Sequence, residues 1–124
     1  MEQTEGERAL PLKGRWIFLA EDEVMISLCL KEAFEEAGAH VATAFTIDQA
    51  LMLLSAQNWS GAVLDYALHD EDCTPICEWF GKREIPFIVC TGYDQIGEPC
   101  SGGVRMPKPV TAEEVVNTMM ALVP

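Results

Sequence analysis

The residue best placed for chemistry is a carboxylate that follows a short apolar run. Asp65 comes directly after Gly61–Leu64, and a polar stretch begins at His69. A short apolar run that ends in turn-forming residues predicts a strand buried on both faces. In open α/β sheets, ligands bind where strands end, so Asp65 is a candidate reacting group. Taken alone, the stretch is also compatible with an aspartate that only caps the strand or the next turn.

Other polar side chains follow apolar runs in the same way. In chain order, the predicted strands and the residues after them are Arg15–Ala20 with Glu21 and Asp22, Pro86–Cys90 with Thr91, and Val104–Met106 with Lys108. The carboxyl ends of parallel strands share one edge of a sheet, so we expect these side chains to lie close together.

Helical patterns separate the strands. Within Val24–Ala37, apolar residues recur at helical spacing, and such a face packs on the core. The residues that this pattern places inward are Ile26, Cys29, Leu30, Ala33, Phe34 and Ala37.

Capping residues mark the starts of the other helices. The pairs are Thr46 with Gln49 for a helix to about Gln57, Thr74 with Pro75 for a helix to about Lys82, and Thr111 with Glu114 for the last helix.

A further short strand is predicted at His40–Ala44. The alternation of strands and helices predicts an α/β fold, a doubly wound five-stranded parallel sheet of order 2-1-3-4-5. The switch point between the first and third strands makes Asp22 and Asp65 face each other across a crevice. Residues 1–13 are polar and aperiodic and predict a flexible tail, and residues 14–124 form a single domain.

Three carboxylates at close range repel one another unless a cation neutralises them. We expect Mg²⁺ bound by Glu21, Asp22, Asp65 and the backbone carbonyl of Ala67, because hard oxygen ligands suit this ion. For Glu21, a solvated acid near a helix start is an equal alternative. An aspartate beside Mg²⁺, a lysine and a hydroxyl is suited to accepting a phosphoryl group.

These residues carry a family resemblance. Glu21-Asp22-Glu23, Leu64-Asp65, Thr91-Gly92 and Lys108-Pro109, each at a strand end, resemble the receiver domain of two-component response regulators. The resemblance implies a flavodoxin-like receiver fold, Mg²⁺ at Glu21 and Asp22, phosphorylation of Asp65 by a histidine kinase, a switch hydroxyl at Thr91 and a phosphoryl contact from Lys108. It also implies a cis bond between Lys108 and Pro109, which is accessible because the second residue is proline.

The chain departs from the receiver pattern after Thr91. Only 17 positions separate Thr91 from Lys108, and this stretch is rich in glycine. We therefore expect the fourth helix of receivers to be missing or reduced to a turn. Arg105 stands where the usual switch aromatic is found, three residues before the lysine. Tyr93 is either a substitute for that aromatic or a packed loop residue.

A narrower resemblance rests on Val89–Tyr93. Three of its five residues match the Phe-Ala-Thr-Gly-Tyr motif of a bacterial subgroup of stand-alone receivers, and Thr74-Pro75-Ile76 is similar to that subgroup as well. Its members are often paired with sensor kinases of the HWE class, so this resemblance implies such a partner.

Composition limits the remaining possibilities. The formal charge of −12 argues against nucleic acid and against an anionic membrane surface. No apolar run approaches the length of a membrane span. The odd count of five cysteines predicts reduced thiols in the cytoplasm. Cys73, Cys77 and His69 are loosely spaced for zinc and no fourth ligand is apparent, so a zinc site is not favoured.

The sequence therefore predicts a stand-alone response regulator, not an enzyme acting on a separate substrate. It would take a phosphoryl group on Asp65, assist its own phosphorylation and dephosphorylation, and signal through protein contact or phosphate sharing. One alternative is a receiver fold kept as a phosphorylation-independent interaction module. A small aspartyl phosphatase is less favoured, because Ala67 stands where such enzymes carry a second acid.

Overall fold

The computed structural model describes residues 10–68, 71–93 and 95–124. The strands are β1 (Trp16–Ala20), β2 (His40–Ala44), β3 (Gly61–Asp65), β4 (Ala67–Leu68), β5 (Glu71–Asp72), β6 (Phe87–Thr91) and β7 (Val104–Pro107). The helices are α1 (Val24–Glu36), α2 (Ile47–Leu53), α3 (Thr74–Lys82) and α4 (Ala112–Leu122), with a 3-10 turn at Cys100–Gly102.

Five strands form a parallel sheet in the order β2-β1-β3-β6-β7. This is the predicted order, because β4 and β5 form a separate antiparallel hairpin. All five residues of β3 and of β6 are buried, as expected for central strands covered on both faces. Gly61 opens β3, and a Cβ there would lie 2.5 Å from the Met119 sulfur, so a larger residue would require the Met119 side chain to move.

Two apolar cores cover the two faces of the sheet. On one face, the ring of Phe18 meets Trp59 and Phe80 edge to face, at centroid distances of 5.1 and 5.2 Å. Trp16 contacts Trp59 at the amino-terminal edge of the same face, with centroids 6.2 Å apart. The core on the opposite face is built around Phe34 and also includes Ile17, Leu19, Leu30, Val115 and Met119.

The expected inward face of α1 was partly wrong. Leu30 and Phe34 are buried, but Ile26 is 39% exposed, Cys29 is exposed and Ser27 is buried instead. The buried stripe follows Ser27, Leu30 and Phe34, so Ile26 and Cys29 lie to one side of it. They line a groove of about 600 Å³ between α1 and α4.

Two helix boundaries also differ from the prediction. Helix α2 ends at Leu53 rather than near Gln57. Thr74 does not cap α3 but is its first residue, and the Asp72 carboxylate accepts a hydrogen bond from its backbone N–H at 2.9 Å. The Thr74 hydroxyl donates to the same carboxylate at 2.6 Å, and the Cys77 N–H that a capping Thr74 would hold is bonded to the Cys73 carbonyl instead.

The capping box predicted at Thr111 is confirmed, and the one predicted at Thr46 is confirmed in part, because the Gln49 side chain accepts from the Phe45 N–H rather than from that of Thr46. The Thr46 hydroxyl accepts a hydrogen bond from the Gln49 N–H at 3.1 Å. Thr111 and Glu114 form a reciprocal capping box at the start of α4.

The predicted loss of a fourth receiver helix is confirmed for the residues described between Thr91 and Lys108, where a 3-10 turn is the sole helical segment. Asp94 lies outside the described residues.

Of the predicted tail, residues 1–9 also lie outside them. Leu12 is buried and its N–H donates to the Ala37 carbonyl at 2.8 Å, so packing begins at or before Leu12 rather than at Gly14. Within the described residues, every helix is too short or too polar to cross a bilayer.

Candidate functional site

The acidic residues predicted to act together do converge at the carboxyl edge of the sheet. Ala20 pairs with Leu64 in the sheet register, so Glu21, which follows β1, is level with Asp65 at the end of β3. Carboxylate oxygens of Glu21, Asp22 and Asp65 lie within 4.8 Å of one another. Glu21 is 4% exposed and Asp65 is 7% exposed, so water screens their charges weakly.

Glu21 shows the electrostatic cost of this arrangement. Its pKa is raised from 4.5 to about 7, chiefly by burial, and the neighbouring charges of Asp65 and Asp22 contribute to the rise. A hydrogen bond from the Glu23 backbone N–H to Glu21 Oε2, at 3.0 Å, opposes the rise by stabilising the ionised form. A bound cation at this position would favour that ionised form.

Lys108 provides the positive charge of the site. Its Nζ lies 3.2 Å from Asp65 Oδ1. Burial lowers the pKa of Lys108, but the charge of Asp65 and this hydrogen bond outweigh it, and the pKa lies above the ordinary 10.5. The side chain reaches Asp65 across the end of β6, and the Lys108 N–H is fixed by the Thr91 carbonyl at 2.8 Å. The Lys108–Pro109 bond is cis, as the resemblance implied.

Thr91 ends β6 at the same edge. In the register Asp65 pairs with Cys90, so Thr91 lies one residue beyond Asp65 on the neighbouring strand. It is buried, and its hydroxyl oxygen accepts a hydrogen bond from the Tyr93 N–H at 2.9 Å. A hydroxyl that accepts one hydrogen bond can still donate its own proton.

The donor set fits a hard divalent cation. Three carboxylates face one ammonium group, which leaves the site negative when all are ionised. Mg²⁺ prefers oxygen ligands and keeps part of its water shell. Glu21, Asp22 and Asp65 are the side chains that would hold it, and Ala67, whose carbonyl was predicted as a further ligand, begins β4 two residues after Asp65.

The structure reveals two features beyond the predicted site residues. Arg105 Nε donates to the Tyr93 carbonyl at 3.1 Å, and the Tyr93 ring meets Tyr66 edge to face at 5.7 Å. The sequence singled out Arg105 and Tyr93 but did not predict their contact. The second feature is a third cysteine, Cys100, beside Cys73 and Cys77; it lies too far along the chain to be linked to them by spacing. His69, weighed with them earlier, lies outside the described residues.

A doubly wound sheet with clustered acids and a lysine at its carboxyl edge is the architecture of receiver domains. No protein-family model and no curated protein matches the sequence. Solved structures do match, and those described below are receiver domains or response regulators.

The chain aligns over 89% of its length with 97% of the non-phosphorylated HemR receiver domain of Leptospira biflexa, at 27% identity and a TM-score of 0.75. It covers 96% of SdrG from Sphingomonas melonis with 86% of its own length, at 26% identity and a TM-score of 0.71. The response regulator TrrA of Thermotoga maritima, solved with Mg²⁺ and beryllofluoride, is 21% identical over 88% of this chain and 99% of TrrA, at a TM-score of 0.73. This chain therefore has the receiver-domain fold of response regulators.

Proposed function

We propose that this chain is a stand-alone response regulator receiver that accepts a phosphoryl group on Asp65 from a phosphohistidine of a sensor kinase. The observation that carries the proposal is the 3.2 Å contact of Lys108 Nζ with Asp65 Oδ1 beside the Glu21 and Asp22 carboxylates. A structural salt bridge would need no second and third acid at the same place, since these raise the electrostatic cost.

The chemistry follows from the placement of the groups. An Asp65 oxygen attacks the phosphorus, the P–N bond to the imidazole breaks and a new O–P bond forms. Mg²⁺, when bound, supplies positive charge for the phosphoryl oxygens. Lys108 offsets charge on the same oxygens, and the Thr91 hydroxyl donates a hydrogen bond to the transferred group. The chain thus assists its own phosphorylation and, with water as the acceptor, its own dephosphorylation.

The surface beside Asp65 suits a kinase partner. On α1, Val24, Met25 and Leu28 are 57%, 70% and 53% exposed. A kinase domain that brings a phosphohistidine to Asp65 would cover this surface, and burying its apolar side chains there would stabilise the complex. The match of Val89–Tyr93 to the Phe-Ala-Thr-Gly-Tyr motif supports an HWE-class kinase.

Output is proposed to pass through residues 92–103. Thr91 and Tyr93 are already joined by a hydrogen bond, so a phosphoryl group that recruits the Thr91 hydroxyl would act on the start of this loop. The signal then passes by protein contact or by phosphate sharing, in the cytoplasm.

Amide NMR spectra recorded without metal, with Mg²⁺, and with Mg²⁺ plus beryllofluoride test the proposal. We expect shifts at Asp22, Asp65 and Ala67 with Mg²⁺, then at Thr91 and the loop with beryllofluoride, which mimics phosphate on aspartate. Asp65→Asn should retain the fold and lose the second response. Mg²⁺ should also raise the melting temperature, because it binds the folded state only, and Asp22→Ala should lose most of that gain.

The second candidate is an interaction module that works without phosphorylation. Arg105 favours it, because its side chain holds the Tyr93 carbonyl in place of an aromatic switch. A chain that shows no shifts with either Mg²⁺ or beryllofluoride would overturn the phosphoacceptor proposal in favour of this one.

A further inference from the structure

Three buried thiols meet on the face of the sheet that carries α3. Cys73 precedes α3, Cys77 lies one turn inside it, and Cys100 comes from the 3-10 turn after β6. Cys73 Sγ is 3.7 Å from Cys77 Sγ and 3.8 Å from Cys100 Sγ, and all three sulfurs lie within 4.8 Å of one another. Each residue is 0% exposed.

The spacing of the sulfurs matches that of ligands around one ion. Zinc–sulfur bonds are about 2.3 Å long, so two sulfurs in a tetrahedral zinc site are about 3.8 Å apart. Two separations in this trio have that value without any rearrangement. The spacing is too long for a disulfide, in which the sulfurs are about 2 Å apart.

The ionisation of each of the three thiols depends on the other two. The hydrogen bonds that Cys100 shares with Cys73 and, to a smaller extent, with Cys77 lower the pKa of the Cys100 thiol. The hydrogen bond with Cys100 raises the pKa of Cys73. Thr74 Oγ1 lies 4.0 Å from Cys100 Sγ, also within hydrogen-bonding distance of a sulfur.

We propose that Cys73, Cys77 and Cys100 form a site for one thiophilic metal ion of the Zn²⁺ or Cu⁺ type, separate from the oxygen site at Asp65. Soft thiolates select such ions, and carboxylates select Mg²⁺, so the two sites take different metals. Each thiol that becomes a ligand releases its proton to solvent. The ion ties the loop of residues 92–103 to the start of α3, and thereby constrains the loop that the proposed function uses for output.

Cadmium is a suitable probe, because it resembles Zn²⁺ and its bonds to thiolates absorb in the ultraviolet. The wild-type protein, reduced and held in excess Mg²⁺ to occupy the carboxylates, is titrated with Cd²⁺. We expect saturation at one Cd²⁺ per chain with a thiolate absorption band. Cys100→Ala and Cys77→Ala should each weaken the binding at least about tenfold, as loss of a ligand does more than the loss of an outer-shell partner.

Cys90→Ala and Cys29→Ala are matched controls. Cys90 is buried in the other core and Cys29 is exposed on α1, so both variants should bind Cd²⁺ as the wild type does. Retention of full binding in Cys100→Ala, or absence of the thiolate band in the wild type, would overturn the proposal and leave the trio as packed thiols.

The outcome of the Cd²⁺ titration is separable from the proposed function, because Asp65→Asn should retain the Cd²⁺ site and Cys100→Ala should retain the Mg²⁺ response.

Discussion

Replacing Glu21 with glutamine should change how the stability of the metal-free protein depends on pH. Glu21 has a pKa of about 7 in the folded chain against an ordinary value of 4.5. Between these values the folded state binds more protons than the unfolded state, so the free energy of unfolding falls as the pH rises. Below 4.5 both states are protonated, and well above 7 both are ionised, so the slope vanishes outside this window.

The size of the effect follows from the difference between the two pKa values. At 1.36 kcal/mol per pH unit, full ionisation of Glu21 costs the folded state about 3 kcal/mol. Between about pH 5 and pH 8 the contribution changes by about 2 to 3 kcal/mol. For a domain of this size that corresponds to a fall in melting temperature of about 10 °C. Because Glu21 is 4% exposed, solvent screening reduces this value little.

The assay is urea unfolding with a metal chelator at several pH values, for the wild type, Glu21→Gln and Glu23→Gln. The difference between the wild type and Glu21→Gln should grow by about 2 to 3 kcal/mol toward pH 8, with the variant more stable there. Glu23→Gln alters an exposed neighbour and keeps the backbone N–H that Glu21 uses, so it should follow the wild type. If the free energies of unfolding of the wild type and Glu21→Gln differ by the same amount at every pH, the reasoning is refuted. Mg²⁺ near pH 8 should stabilise the wild type more than Glu21→Gln.

Two further predictions concern the loop after β6. Gly103→Ala should destabilise the fold by about 1–3 kcal/mol, because a Cβ there would lie 2.7 Å from the Phe87 carbonyl oxygen and closer still to the Phe87 ring. Chemical denaturation measures this loss of stability. Gly102→Ala is the control and should be nearly neutral, because a Cβ at Gly102 would meet open space. Arg105→Ala removes the side-chain donor to the Tyr93 carbonyl. This variant should therefore exchange the Tyr93 amide hydrogen several-fold faster, and its free energy of unfolding should fall by about 1 kcal/mol.

Each of these has its own check. Equal denaturation midpoints for Gly103→Ala and Gly102→Ala would contradict the packing argument. Arg83→Ala is a control for Arg105→Ala, because Arg83 also donates to a backbone carbonyl, that of Trp79 at 3.1 Å, on another part of the surface. If both arginine variants leave Tyr93 exchange unchanged, Arg105 does not restrain the loop.

The sequence predicted the sheet order and the convergence of the acids because both depend on local patterns. A buried apolar run that ends in a carboxylate specifies a strand end, and the order of such runs specifies the edge on which Glu21 and Asp65 meet. The missing helix was predictable for a similar reason, since glycine-rich sequence opposes helix formation.

The errors arise where tertiary packing decides between similar local options. On α1, apolar residues cover more of the helix than the core can bury, and the stripe through Ser27 is buried while Ile26 and Cys29 are not. The cap of α3 was assigned to Thr74, but the helix begins at Thr74 itself, and the Asp72 carboxylate accepts hydrogen bonds from both the N–H and the hydroxyl of Thr74. Cys100 joins Cys73 through the fold alone, since 27 positions separate them.

The positions of the tryptophans determine which spectroscopic signals this protein can give. Trp16 and Trp59 lie at the amino-terminal edge of the sheet, and the five residue steps from Trp16 to Glu21 span about 16 Å of extended chain. Trp79 lies in the second half of α3 and is stacked against Arg83, whose guanidinium carbon is 3.8 Å from the ring centroid. Intrinsic fluorescence should therefore report global unfolding faithfully and respond little to events at Asp65, so an optical assay of this site requires a label placed near Tyr93.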